Sequence, residues 1–169
     1  MKLFRFICIS LLSVILFTAC FSVRYDLKGG ADIQGNTVSV QYFDNRASRV
    51  EPSLSQKLTD ELRFFMESNT KLRMINTIGD HDFSGEVTEY KIRPAAIAAG
   101  DQAAKTRFTI TIRVKYTNSI DTDSSFDSSF SRFRDFDSTQ DFSSVEAALA
   151  EEIVEEIIDQ IFNKAFVNW

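Results

Sequence analysis

One histidine is available for acid–base work. His81 sits between Asp80 and Asp82, just after Gly79. A His–Asp pair could pass protons, but adjacent residues point in different directions, so this spacing predicts a turn histidine. Asp121, Asp123 and Asp127 resemble the start of a calcium loop, yet the sixth place holds no Gly and the twelfth no Glu. Asp135, Asp137 and Asp141 read as turn and capping residues rather than paired acids. No G-x-S-x-G, H-E-x-x-H or P-loop occurs in the chain. With one histidine and two cysteines there is little material for a transition-metal site or a histidine-based triad. The net charge of -5, from 19 Lys+Arg against 24 Asp+Glu, makes a poor generic binder of nucleic acid. The chemistry predicted is therefore binding or assembly, with no enzyme activity, no cofactor and no metal.

The two cysteines belong to the N-terminus. Lys2 and Arg5 precede an apolar run from Phe6 to Phe17, too short for a span of about 20 residues. The run ends in Leu16-Phe17-Thr18-Ala19-Cys20. That ending resembles a lipobox, with Phe17 where a leucine is usual and Leu16 one place earlier. Residues 1–19 then form a lipoprotein signal peptide and Cys20 is the lipid anchor. Acyl chains contribute about 0.8 kcal/mol per buried methylene, so several anchor a protein stably. Cys8 leaves with the signal and Cys20 is blocked, so no thiol chemistry remains. The other reading is a plain secretory signal with an incidental cysteine. Residue 21 is Phe rather than Asp, which fits outer-membrane sorting. No early acidic run follows, which fits a protein facing the periplasm.

Residues 20–36 read as a lipidated tether, with Gly29, Gly30 and Gly35. Residues 37–169 read as a single domain. Thr37 to Phe43 alternates with period two and predicts a strand. Ser53 and Gln56 have capping-box spacing and open a helix to about Ser68, with Leu54, Leu58, Leu62 and Phe65 on one face. Leu72, Met74 and Ile75 predict a link or a short strand. Phe83 to Arg93 predicts a strand whose apolar phase switches, implying a bulge near Thr88-Glu89. Pro94 to Lys105 predicts a hairpin loop. Arg107 to Asn118 is the clearest strand, with Phe108, Ile110, Ile112, Val114 and Tyr116 facing one way. Arg107, Arg113 and Lys115 face the other, among threonines. Phe126 to Phe136 predicts its partner, with a bulge or twist to accommodate Phe133. Ser143 and Glu146 form a second capping box before a helix with Val145, Leu149, Ile153, Ile157 and Ile161 at every fourth place. Glu151, Glu152, Glu155 and Glu156 read as its solvated face.

The order β-α-β-β-β-α predicts an α+β two-layer sandwich, two helices on one face of a four-stranded mixed sheet. A sheet covered on both faces would not carry Thr, Arg and Lys at every second place.

Five segments resemble the LptE family of lipopolysaccharide-assembly lipoproteins. They are Val38 to Ala47, Phe83 to Tyr90, Arg107 to Ile112, Ser129 to Asp137 and Phe162 to Trp169. The resemblance implies two helices on a four-stranded sheet, in agreement with the patterning. It implies an outer-membrane lipoprotein inserted as a plug in the lumen of a large β-barrel, LptD. Such a protein binds lipopolysaccharide, helps the barrel assemble, and with it places lipopolysaccharide in the outer leaflet. On that reading the open sheet face would supply the contacts to lipopolysaccharide or barrel. Arg107, Arg113 and Lys115 would be joined by Lys91, Arg93, Arg132 and Arg134 if the bulges turn them that way. The plain alternative is that these residues keep the sheet soluble. At the level of function, the alternative is a free-standing periplasmic lipoprotein that binds a ligand or scaffolds another complex. Trp169 reads as a packing anchor.

Overall fold

The computed structural model describes residues 33–49, 51–95 and 104–167. The signal peptide, Cys20, most of the tether, most of the hairpin loop and Trp169 lie outside the described residues. The elements are β1 (Thr37–Val40), β2 (Asp44–Asn45), α1 (Pro52–Asn69), β3 (Arg73–Met74), β4 (His81–Pro94), β5 (Lys105–Asn118), β6 (Phe126–Asp137) and α2 (Phe142–Phe162). A π-helical turn, Asn163–Val167, follows α2.

The class is the expected one, α+β with two helices and a mixed sheet, but the sheet has six strands rather than four. The order is β3-β1-β4-β5-β6, with β2 also on β4. Two features account for the difference. The link after α1 contributes a short edge strand, β3, parallel to β1. The strand expected from Thr37 to Phe43 stops at Val40, and Asp44–Asn45 beyond its expected end form β2; both are parallel to β4. Val40 pairs with Phe83, but Asp44 pairs with Glu86, so this strand carries one extra residue between the pairs.

Helix α1 repairs that break. The Arg63 guanidinium donates to the Val40 carbonyl at 2.7 and 3.2 Å. The Thr59 hydroxyl accepts from the Phe43 amide at 3.1 Å and donates to the Ser55 carbonyl. The freed Phe43 ring turns into the core, where it is fully buried. It lies against Gly85, where a β-carbon would come 2.2 Å from the Arg113 carbonyl oxygen and 2.6 Å from the ring. No other residue fits there without displacing backbone. The second bulge is where the pattern put it: the register shifts between Val87 and Glu89, around Thr88.

Three local expectations are corrected. Strand β6 carries no bulge; its pairing with β5 runs unbroken from Lys105–Asp137 to Tyr116–Phe126. Phe133 simply faces outward. The helices are not capped by Ser53 and Ser143. Glu51 and Asp141, two places earlier, accept from the Ser53 and Ser143 amides and hydroxyls. Pro52 then fills the first helical position of α1, where its missing N–H costs nothing. Glu146, freed from capping, accepts from the Tyr90 hydroxyl at 2.6 Å.

His81 is also not a turn residue. It begins β4 and is buried. Its Nε2 donates to the Gln34 carbonyl and its Nδ1 accepts from the Tyr116 hydroxyl, both at 2.7 Å. A carbonyl can only accept, which fixes that tautomer for the neutral ring. Burial pushes the Tyr116 phenol up to about 12, so it remains a donor. Phe166 closes this end, edge-on to His81 at 5.2 Å and beside Phe83 and Tyr116. Gly35, at φ +108°, lets the incoming chain pass under the imidazole.

One core lies between the sheet and both helices, from Val38 and Leu58 to Phe108, Ile153 and Ile161. The Gly85→Ala variant should lose about 2 kcal/mol or more, because the added methyl meets backbone as well as the Phe43 ring. Urea unfolding would show this as a lower midpoint with an unchanged slope.

Candidate functional site

The alternation of β5 leaves a solvent-facing sheet surface opposite the helices. Antiparallel pairing places directly opposed residues on the same face. Arg107 is therefore level with Arg93 on β4, and Thr109 with Lys91. Lys91, Arg93, Arg107, Arg113 and Lys115 all stand on this open face.

Arg132 and Arg134 do not join them. They oppose Ile110 and Phe108, whose side chains are fully buried, so both stand on the helix side. There Arg134 donates to Glu152 at 2.6 Å and Glu156 at 2.7 Å, and Arg132 lies 3.5 Å from Glu156. The expected turning of these two arginines required a bulge that β6 lacks. The same contacts revise the reading of the α2 acids as a merely solvated face. Glu151 also holds Lys57 of α1, at 2.9 Å.

On the open face Arg107 and Arg113 are matched by carboxylates. Arg107 makes a two-pronged bond to Asp135, both prongs 2.8 Å, directly across the β5–β6 pair. Its guanidinium also lies 3.6 Å from the centre of the Phe133 ring, which is 46% exposed. Arg113 reaches diagonally to Asp127 with the same two-pronged geometry, again 2.8 Å. Glu86 is 3.0 Å from Arg46. Thr111 donates to Glu89 at 3.1 Å and shares a 2.9 Å bond with Ser131. Fork-on-fork pairing fixes orientation as well as distance, so the β5–β6 part of the face carries two ordered charge pairs rather than bare arginines. A shallow depression of about 210 Å³ lies within it, lined by Ser84, Gly85, Glu86, Arg113, Lys115 and Asp127.

The acids were the residues that sequence reasoning missed. By sequence Asp127 resembles part of an incomplete calcium loop and Asp135 reads as a turn or capping residue, whereas both are arginine partners. The signal was available: Asp127, Ser129, Ser131, Phe133 and Asp135 share one phase of an unbroken strand. Accepting one exposed phenylalanine would have placed all of them opposite the cations. A second cleft, about 220 Å³ between the helix N-termini, has its polar groups turned on one another, Tyr90 to Glu146 and Ser53 to Glu51.

Hydrogen bonds from Arg113 and Arg107 hold the Asp127 and Asp135 carboxyls below their ordinary value of 3.8. Bonds from the Asn36 and Thr37 amides do the same for Asp80. A lowered carboxyl pKa stabilises the fold above the ordinary value, and that contribution is lost as pH falls through the lowered one. Glu61 acts in the opposite sense, because burial raises it. Stability should therefore fall below about pH 4. In Asp127→Asn/Asp135→Asn the acid limb of a thermal-melt series from pH 6 to 2 should be shallower.

A family profile described as lipopolysaccharide-assembly, LptE, matches residues 35–165. No curated protein matches. Among solved structures, a minor lipoprotein from Acinetobacter baumannii aligns at 12% identity and a TM-score of 0.54. It covers 80% of this chain and 96% of that one. The protein XCC0632 from Xanthomonas campestris aligns at 12% identity and 0.54, covering 82% and 87%. An uncharacterised lipoprotein B from Nitrosomonas europaea aligns at 9% and 0.51, covering 80% and 84%. At such identities these structures establish a shared fold.

Proposed function

The chain belongs to the LptE family of lipopolysaccharide-assembly proteins, and from that premise we propose an outer-membrane lipoprotein held by Cys20. It faces the periplasm, plugs and helps assemble an LptD-type β-barrel, and binds lipopolysaccharide on its way to the outer leaflet. The family match carries this reading, because it covers the sheet, both helices and the open face together.

The physical form of the face supports it. A barrel lumen is lined by polar groups, so a plug needs a surface that stays polar and holds its shape. Charges locked in two-pronged pairs meet both demands. They lose little rotamer entropy on docking, since the pairs already fix them. Tagged at Gly100-Asp101, outside the described residues, the protein should be recovered from detergent-solubilised outer membranes with a large barrel protein in near-equal amount. Recovery alone, with the tag tolerated, would favour the free-standing ligand-binding lipoprotein instead.

Lipopolysaccharide phosphates would meet the face at Arg113 and Lys115, which border the depression. Lys91, Arg93 and Arg107 extend the same surface. Asp127 already occupies the Arg113 fork, so a phosphate contact there replaces one anion by another. Arg113→Glu with Lys115→Glu should weaken lipopolysaccharide binding at least tenfold while the circular dichroism spectrum is retained. Unchanged binding in that folded variant would remove these two positions from the contact.

A further inference from the structure

Among the described residues, strand β6 is the long free edge of the sheet: twelve residues with β5 on one side and no strand on the other. Such an edge is a template for another strand. Which of its groups are open follows from the end of the hairpin. The Ser138 amide donates to the Ala104 carbonyl at 3.1 Å, in register with the β5–β6 ladder. The even-numbered residues of β6 thus turn their amides and carbonyls toward β5. The odd-numbered ones turn theirs to the open edge. Ser131 and Phe133 are odd, so their carbonyls are acceptors that an incoming strand would use.

Both are already taken. The Arg132 guanidinium donates to the Ser131 carbonyl at 2.9 Å, and the Arg134 guanidinium to the Phe133 carbonyl at 3.1 Å. The same two side chains are held over the edge by α2, through Glu152 and Glu156. They are charges on the helix-facing side of an edge strand, and an added strand would have to displace them and remove them from water.

We propose that Arg132 and Arg134, clipped to Glu152 and Glu156, close the β6 edge against pairing with a second copy of this chain. The two arginines expected to bind outward ligands thereby have a different task. A second copy is the strand donor because it presents the same long edge, which no other strand of the described residues pairs, and two such edges can meet about a two-fold axis.

The test uses the full chain in a mild detergent, with sedimentation velocity over a range of concentrations. Wild type should remain monomeric. Arg132→Thr/Arg134→Thr, checked for a cooperative thermal melt, should dimerise at least tenfold more tightly. Adding Ser129→Pro should abolish that gain. The Ser129 amide faces the open edge, so proline there removes an edge donor and no bond to β5. A folded double variant that stays monomeric overturns the proposal, and so does association that Ser129→Pro leaves intact. Should the double variant not fold, Arg132→Thr alone uncaps the Ser131 carbonyl while Arg134 still holds α2. It must also shift toward dimer, and a folded, monomeric Arg132→Thr overturns the proposal equally.

Discussion

Strand β5 buries Phe108, Ile110, Ile112, Val114 and Tyr116 on one side and carries Arg107, Thr109, Thr111, Arg113 and Lys115 on the other. That one-sided burial constrains everything around it. Each fully buried side chain of this size contributes about 1.5–3 kcal/mol, and a one-residue slip would exchange the two faces. Both helices must therefore lie on the apolar side, and β4 and β6 must match β5 in phase. The open face is the remainder of this arithmetic: a surface left polar because its reverse had to be apolar.

The irregularities of the sheet are confined to its parallel side and the strand that joins it. One extra residue separates β1 from β2, and Thr88 interrupts β4. Each leaves backbone groups to be satisfied. Side chains of α1 meet the first need, Arg63 at the Val40 carbonyl and Thr59 at the Phe43 amide. The Thr88 hydroxyl bonds the Thr111 carbonyl opposite. The bend between β1 and β2 delivers Phe43 onto Gly85, so a break in one strand and a missing side chain in its neighbour fit each other.

Charge is sorted by face. Outside, Arg107 and Arg113 are matched to Asp135 and Asp127 across one hairpin. On the helix side, Arg132 and Arg134 are matched to Glu152 and Glu156 across two layers. The first set gives a polar, orientation-fixed surface suited to a partner with a polar wall. The second ties the sheet edge to α2. Exposed pairs of this kind contribute little to stability singly; their effect is to fix where side chains point. The proposed plug would use both, a face that docks and an edge that does not pair.

The sequence by itself determined the two helices, the β5 phase, the Thr88 bulge and the α+β class. These rest on local periodicity, which the chain carries whatever its surroundings. The family resemblance was legible in the particular residues of short segments, Phe162 to Trp169 the most specific, and not in the strand periodicity. Only tertiary structure decided the rest. Whether residues 37–45 form one strand or two depended on α1 supplying Arg63 and Thr59. Whether His81 sat in a turn or in the core depended on Gln34 and Tyr116, which are distant in sequence. Which arginines share a face depended on β6 running unbroken beside β5, so that Phe133 is exposed and Arg132 and Arg134 turn toward α2. Register between strands is a pairwise property, and a single strand's pattern cannot fix the partner against which its charges will be neutralised.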